Sequence, residues 1–415
     1  MDETLAIQNP WWEGRPLKKS VERKEALYAL KQRVKNNRVC MLLGGRRVGK
    51  TTLIHQYIGE LLNTGVEPKN ICYILLDSNA FEKISIFELI RKYRQIHNLK
   101  RDENVYLFLD EIQYKDNWEQ YIKNIYDTEP NINVMLSGSA SFKIHTKTSF
   151  LTGRFSILYL YPLSFKEFLQ FKNIQISLSE KYIYENELNE YLLKGGYPEY
   201  LLTEDYQYFP NLVDSIIYKD FVEYFNIKNL NIVKDLLKLI ADRTGSHTSL
   251  SKLGKILSIA KETVRDYVFA LKETFTIYEL QRYATSRNER IYFPKKYYIN
   301  DNGLLFNLSG KFNKGQVAEQ TLFDFLYKKY NESLYFYYYD GIEIDFLIKD
   351  ADGIQLIESK YINDVEEFDS KLLVKAMETL KVSKAVVITE SLENTIEFSN
   401  KSIEYIPLWK YILSL

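Results

Sequence analysis

Cysteine, histidine, proline and tryptophan are scarce in this 415-residue chain, at two, four, nine and four residues. The two cysteines, Cys40 and Cys72, each sit inside an apolar run. That argues against a disulfide scaffold or a cysteine zinc site and fits a reducing compartment. Four scattered histidines argue against a histidine-rich metal centre. Net charge is also missing: 55 Lys and Arg balance 55 Asp and Glu, so the chain is not a globally basic nucleic-acid binder and any such surface must be local. No apolar run approaches membrane-spanning length. The start, Met1-Asp2-Glu3-Thr4, is acidic and lacks the signal-peptide pattern, so a cytoplasmic location and no membrane partner are expected. What is present is globular: 46% hydrophobic residues, no low-complexity tract, and enough length for two to four domains.

The most specific motif is Leu43-Gly44-Gly45-Arg46-Arg47-Val48-Gly49-Lys50-Thr51-Thr52. It follows the apolar run Val39 to Leu43 and opens a segment, Thr52 to Leu62, that reads as a helix. This is the G-x-x-x-x-G-K-[ST] phosphate-binding loop in its required strand–turn–helix context. Gly44 and Gly49 let the backbone wrap an anion. The loop amides of Gly45, Arg46, Arg47, Val48 and Thr52 then point toward phosphate oxygens at the positive end of a helix. Lys50 is expected to reach the β- and γ-phosphates of ATP, and the Thr51 hydroxyl to ligate Mg²⁺.

Downstream, Ile71 to Asp77 reads as a strand, and Val105-Tyr106-Leu107-Phe108-Leu109-Asp110-Glu111 has the form of a Walker B strand. Such a strand is apolar on both faces and ends in acids at the carboxyl edge of a parallel sheet, where ligands bind. Asp110 is expected to hold Mg²⁺ through water and Glu111 to polarise the attacking water. Val134-Met135-Leu136-Ser137-Gly138-Ser139-Ala140-Ser141 reads as a further strand. Ser137 or Ser139 could sense a γ-phosphate, or the segment could be a Ser/Gly turn. Strands alternating with helical stretches predict a parallel α/β sheet. The tryptophans of Asn9-Pro10-Trp11-Trp12-Glu13-Gly14 are expected to anchor an N-terminal arm.

Together with Leu151-Thr152-Gly153-Arg154-Phe155, Tyr161-Pro162-Leu163-Ser164-Phe165-Lys166-Glu167-Phe168 and Gly195-Gly196-Tyr197-Pro198-Glu199, these motifs resemble the AAA-type ATPases of bacteria and archaea. They resemble most the subgroup fused to a C-terminal domain of unknown function, and the likeness runs from about residue 20 to the end. It implies an arm and first helix over 1–37, an AAA+ ATPase core over 38–162 and a helical lid over 163–227. Within that pattern Arg154 is the candidate arginine finger, in its own subunit or a neighbour's. A rigid, always-charged guanidinium suits the spread charge of phosphoryl transfer, although a surface arginine without a catalytic part also fits. A homo-oligomer is compatible with this likeness, since AAA-type sites often borrow residues across subunits.

From 228 to 300 the pattern changes to short helices, over Ile232 to Ala241, Leu250 to Leu257 and Lys261 to Thr274. Two strand-like runs follow, Thr276 to Tyr283 and Ile291 to Ile299, in the order of a winged helix-turn-helix. Residues 243–297 carry eleven Lys and Arg against five Asp and Glu. Lys261, Thr263, Arg265 and Lys272 lie on the candidate reading helix, and Arg287 and Arg290 flank the wing. Phosphate attraction needs such a patch, but Glu262, Asp266 and Glu273 interrupt it, and winged helices also dock proteins.

Over 301–415, the helix opening at Gln316 carries Glu319, Ile342 to Ile348 carries Asp345, and Ile354 to Tyr361 carries Glu358 and Lys360. Strand period two puts Glu358 and Lys360 on one face, where Asp345 of the neighbouring strand can meet them. Carboxylates with a lysine suit metal-assisted phosphodiester hydrolysis. The set resembles the D…E-x-K core of the PD-(D/E)XK nucleases. That resemblance implies Asp345, Glu358 and Glu319 as Mg²⁺ or Mn²⁺ ligands and Lys360 as the catalytic lysine, while a solvated strand face is the plainer reading.

The expected fold is therefore α/β: a P-loop AAA+ parallel-sheet core with a helical lid, a winged helix-turn-helix, then an α/β nuclease-like domain. The expected activity is Mg²⁺-dependent ATP hydrolysis that governs engagement of nucleic acid, DNA before RNA, with cleavage left open. The alternatives are a non-cleaving ATP-gated switch and an ATPase whose helix-turn-helix docks only protein.

Overall fold

The computed structural model describes residues 2–36, 39–139, 155–175, 180–225 and 229–414. The chain divides into two compact units, one running up to Tyr161 with Glu273–Phe275, the other comprising Pro162–Lys272 and the residues from Thr276 onward. No helix among the described residues is long and apolar enough to cross a membrane.

The first unit is built on a five-stranded sheet, β1 Val39–Leu43, β2 Ile71–Leu75, β3 Val105–Asp110, β4 Ile132–Gly138 and β5 Phe155–Tyr159, in the order β2-β3-β4-β1-β5. Every neighbouring pair is parallel. That accounts for the continuous apolar runs: all five residues of β1 are buried, because helices cover both faces of such a sheet. The free cysteines Cys40 and Cys72 are buried in β1 and β2. Chain order reverses around β1, so the ends of β1 and β4 open the crevice where parallel sheets bind ligands.

β2 is an edge strand, and the N-terminal arm covers its polar edge. The Asn9 amide donates to the Tyr73 carbonyl at 2.8 Å and accepts from the Tyr73 amide at 2.7 Å. The Leu75 amide donates to Gln8 at 3.0 Å, and both Trp11 and Trp12 indoles donate to the Ile71 carbonyl. Side chains thus stand in for a sixth strand and leave no template for foreign pairing. The tryptophans anchor the arm.

The second unit starts with helices Phe165–Phe171, Lys181–Lys194, Pro198–Thr203 and Tyr208–Ser215. Asp301 ties this part together: its carboxylate accepts from the amides of Gly196, Gly303 and Leu304. A Cβ at Gly195 would fall 2.2 Å from its Oδ1, which explains the Gly-Gly pair. Helices Leu230–Ala241, Leu250–Leu257 and Lys261–Glu273 follow, with a small antiparallel sheet β6 His247–Thr248, β7 Ile277–Leu280 and β8 Lys295–Ile299 in the order β6-β8-β7. One expectation needs correction: Ile291 and Tyr292 are not in a strand. They end a short helix, Arg287–Tyr292, whose N-cap Ser286 accepts from the Glu289 amide. Local capping outweighs the β preference of an Ile-Tyr-Phe run, and both residues are exposed.

The rest of the unit is a helix Lys314–Tyr330, a meander of β9 Leu334–Tyr339, β10 Ile342–Lys349 and β11 Ile354–Ser359, a helix Lys371–Leu380, then β12 Lys384–Thr389, β13 Asn394–Phe398 and β14 Lys401–Pro407. The six strands form one mixed sheet in the order β13-β14-β12-β11-β10-β9. Leu373, Ala376 and Met377 pack on one face against Ile342, Ile344 and Leu347. On helix Lys314–Tyr330, Phe323 stacks on Tyr298 of β8 at 3.8 Å. β10 pairs regularly with β11 from Phe346 to Lys349, and a bulge between Ile344 and Leu347 breaks its pairing with β9. Bulges re-aim side chains; this one frees Asp345.

Candidate functional site

Two sites contain a buried lysine, and they are built differently. In the first unit, the loop after β1 delivers its chain to helix Lys50–Asn63 through Arg47 and Gly49, both left-handed at φ 59° and 98°. Gly44 is required by space: a Cβ there would lie 2.1 Å from the Leu160 carbonyl oxygen. The buried Lys50 donates to the carbonyls of Gly44 and Gly45 at 2.9 and 2.8 Å, curling the loop around its own ammonium. Gly45 and Val48 are buried, Arg46 is half-buried, and Arg47, Thr51 and Thr52 are exposed at the crevice.

Asp110, fully buried at the end of β3, is the hub. Its Oδ2 accepts from the Thr51 hydroxyl at 2.6 Å and the Tyr73 hydroxyl at 2.7 Å, and its Oδ1 from the Ser137 hydroxyl. Glu111 follows in a left-handed conformation at φ 58°, which turns its side chain away from the strand and costs about 1–3 kcal/mol in local strain. It is held by its neighbours: its amide donates to Ser137 Oγ at 3.1 Å, while its carboxylate accepts from Ser139 Oγ at 3.2 Å and from Gln113. Ser137 and Ser139 therefore orient the acidic pair. Arg154, Ala140 and Ser141 lie outside the described residues.

Sequence reasoning missed Tyr73, Gln113 and Arg23. The Arg23 guanidinium donates to the carbonyls of Val48 and Tyr161, bracing the loop from behind. Among the described residues, Gln113 Oε1 is buried without a hydrogen-bond partner, beside the glutamate its amide holds. The site's donor set suits a nucleotide with its cation. Hard oxygens of Thr51 and Asp110 meet, backbone turns form a cradle a Cβ would fill, and a lysine stands at a helix N-terminus.

In the second unit the sequence-predicted residues also converge. Lys360 Nζ lies 2.8 Å from Glu358 Oε1 and 4.0 Å from Asp345 Oδ2. Where β10 and β11 separate, the carboxylates take over the ladder: the Asp345 amide donates to Glu358 at 3.1 Å, and the Ser359 amide to Asp345 at 3.0 Å. Glu319 accepts from the Tyr298 hydroxyl at 2.7 Å. A Cβ at Gly245 would reach within 2.6 Å of its Oε1.

The residue sequence reasoning missed is Lys296, on β8. It is 1% exposed, and its Nζ lies 2.8 Å from Glu343, 3.5 Å from Asp345 and 3.9 Å from Glu319. Burial opposes its charge, but Asp345, Glu319 and Glu343 outweigh that and hold the ammonium above the usual lysine range. Burial and the charge of Asp345 push Glu319 up to about 8 and Glu358 up to about 7, against the pull of Lys296 and Lys360 respectively. Lys296 and Tyr298 share one face of β8 by strand period two, a signal present in the sequence. No group of three His, Cys, Asp or Glu able to hold one metal ion occurs among the described residues. The expected metal ligands Glu319, Asp345 and Glu358 are brought near each other, but around ammonium groups.

On the candidate reading helix, Lys261 and Arg265 are exposed, as are Glu262 and Asp266. Lys272 pairs with Glu279 at 3.2 Å, and Thr263 is half-buried. Arg287 is exposed on the short helix between β7 and β8. The basic surplus of this segment is thus partly spent internally.

Residues 36–169 match the AAA domain family, so this part of the chain is similar to AAA domains. Residues 185–315 and 314–411 match two domains of unknown function, DUF8612 and DUF4143. An uncharacterized protein of Methanocaldococcus jannaschii is 29% identical over 404 residues, covering 91% of this chain and 89% of the relative. An uncharacterized protein of Haemophilus influenzae is 25% identical over 94% of this chain and 99% of its own. Among solved structures, the Walker-type ATPase of Pyrococcus abyssi covers 71% of this chain and 98% of its own, with 17% identity and a TM-score of 0.42.

Proposed function

We propose that this protein is a Mg²⁺-dependent ATPase whose nucleotide state governs how its second unit engages nucleic acid. The observation that carries the ATPase reading is the meeting of Thr51, from the phosphate-binding loop, with Asp110, which Glu111 directly follows at the end of β3. Lys50 would neutralise β- and γ-phosphate oxygens, leaving the Gly44 and Gly45 carbonyls for that stronger, charged partner. Thr51 and Asp110 would hold the cation, which when bound offsets phosphate charge. Glu111, oriented by Ser139 and Gln113, would accept a hydrogen bond from the attacking water. Hydrolysis is expected to fail in Lys50→Ala and Glu111→Gln, by roughly 100-fold or more for the loss of a general base, while Glu111→Gln still binds ATP. Unchanged turnover in both variants would sink the reading.

The nucleic-acid reading is supported by the helix-turn-helix order of elements and by exposed Lys252, Lys255, Lys261, Arg265 and Arg287, in keeping with a winged helix. Neutralised phosphates steepen the salt dependence of binding, so Lys261→Ala with Arg265→Ala should weaken duplex binding and flatten its log–log salt slope by about two. A slope near zero for the wild type points instead to a protein partner.

A second reading is favoured by Lys296. With its ammonium inside the carboxylate cluster, the nuclease-like region binds without cutting. Incubation with single- and double-stranded DNA and RNA in Mn²⁺, with and without ATP, should leave all substrates intact. Cleavage lost in Lys360→Ala would overturn it.

A further inference from the structure

We propose that Lys296 is a built-in cation lock: its ammonium occupies the place a divalent ion would take in the C-terminal carboxylate site and closes that site to metal. The proposal deepens the non-cleaving reading and rests on it. Nuclease assays test that reading, whereas the measurement below tests the lysine alone.

Three features carry it. Carboxylate oxygens from two elements, Glu319 on helix Lys314–Tyr330 and Glu343 and Asp345 on β10, lie within 3.9 Å of one point, and that point is Lys296 Nζ. Ligands for Mg²⁺ must close to roughly 2.1 Å around their ion, which an ammonium at the centre forbids. The lysine also cannot swing out freely: it is 1% exposed, packs 5.6 Å from the Phe336 ring, and its strand is paired on both sides, with β6 and β7. Finally, it comes from outside the six-stranded sheet that carries Glu343 and Asp345, from the small sheet β6-β8-β7 that accompanies the helices proposed to meet nucleic acid. A displacement of β8 would carry the cation away, together with the Tyr298 hydroxyl from which Glu319 accepts, and leave the carboxylates themselves behind.

The test is a Mn²⁺ titration of the full chain without nucleotide. Electron paramagnetic resonance follows free Mn²⁺, thermal melts run alongside, and Asp345→Asn assigns the site. The wild type is expected to show no binding that depends on Asp345. Lys296→Met should gain one Mn²⁺ site, at least ten-fold tighter than anything in the wild type and lost again in Lys296→Met with Asp345→Asn. If Lys296→Met melts without cooperativity, Mn²⁺ should restore the transition, and Lys296→Gln, which keeps a donor toward the carboxylates, serves as the second variant. Asp345-dependent Mn²⁺ binding by the wild type overturns the lock, as does a folded Lys296→Met that gains no site. Loss of folding in both variants that Mn²⁺ does not repair also overturns it, by reducing Lys296 to a structural ion-pair partner.

Discussion

Lys50 and Lys296 are both buried lysines, yet they sit in opposite electrostatic settings. Lys50 rests on the carbonyls of Gly44 and Gly45 at the start of a helix, where the macrodipole adds positive potential. Lys296 rests among Glu343, Asp345 and Glu319. An ammonium on neutral carbonyls still has most of its Coulomb attraction to give, and an incoming phosphate can collect it. One already facing carboxylates has given it to the fold. The lesson is that a buried charge marks a ligand site or a structural joint according to its partners, and burial alone does not tell the two apart.

The sharpest way to break that comparison is to remove each charge in turn. Lys296→Met leaves carboxylates without their cation in a buried site, which costs about 3–5 kcal/mol of stability. Lys50→Met removes an ammonium that rests on the Gly44 and Gly45 carbonyls, so its effect on melting should be smaller, about 1–3 kcal/mol, while ATP binding is lost. Equal destabilisation by the two variants, read by denaturant titration, would show that the distinction between the sites is wrong.

A smaller effect comes from acid titration. Glu319 and Glu358 have folded-state values raised to about 8 and about 7, so the folded chain keeps protons that the unfolded chain releases near 4.5. The stabilisation is complete below that ordinary value and is lost as pH rises through the folded values. Stability should therefore fall by about 1–3 kcal/mol between pH 5 and 8 from this cluster. Glu319→Gln should flatten the slope, since a neutral amide has no proton to release.

What was legible in the sequence was contiguous. The phosphate-binding loop and the Asp110-Glu111 pair could be read because their residues lie side by side in strings whose order already states the geometry. Asp345, Glu358 and Lys360 could be brought together because strand period is fixed at two. Their companions could not. Tyr73 reaches Asp110 from β2 across 37 positions, and Arg23, just ahead of helix Lys24–Asn36, braces Val48 from a stretch read only as an arm and first helix. Lys296, beside Lys295, looked like part of a basic surface. It was readable in part, because Tyr297, Tyr298 and Ile299 make β8 apolar on both faces, so a lysine on either face must be buried and must have partners. The short helix at Arg287–Tyr292 was lost for the reverse reason: a single serine cap outweighed three residues with strand preference.

The finest test concerns Tyr73, whose hydroxyl donates to Asp110 Oδ2 at 2.7 Å beside Thr51 at 2.6 Å. If Asp110 is a ligand site awaiting a cation, one of these two donors must yield, and Thr51 is the one whose oxygen would itself face the ion. Tyr73 then serves to fix the carboxylate in place. Tyr73→Phe removes a buried hydrogen bond, worth about 0.5–1.5 kcal/mol, while keeping the ring that packs 4.8 Å from His55. Burial already pushes the His55 imidazole below its ordinary value, against the opposing charge of Asp110, so the substitution should not add a proton there. The expected outcome is a melt lowered by a few degrees and a rise of a few-fold in the Mg²⁺ concentration needed for half-maximal turnover, with saturated turnover nearly unchanged. A loss of saturated turnover as deep as that of Glu111→Gln would instead place the Tyr73 hydroxyl among the reacting groups and make the two acids of the pair a triad.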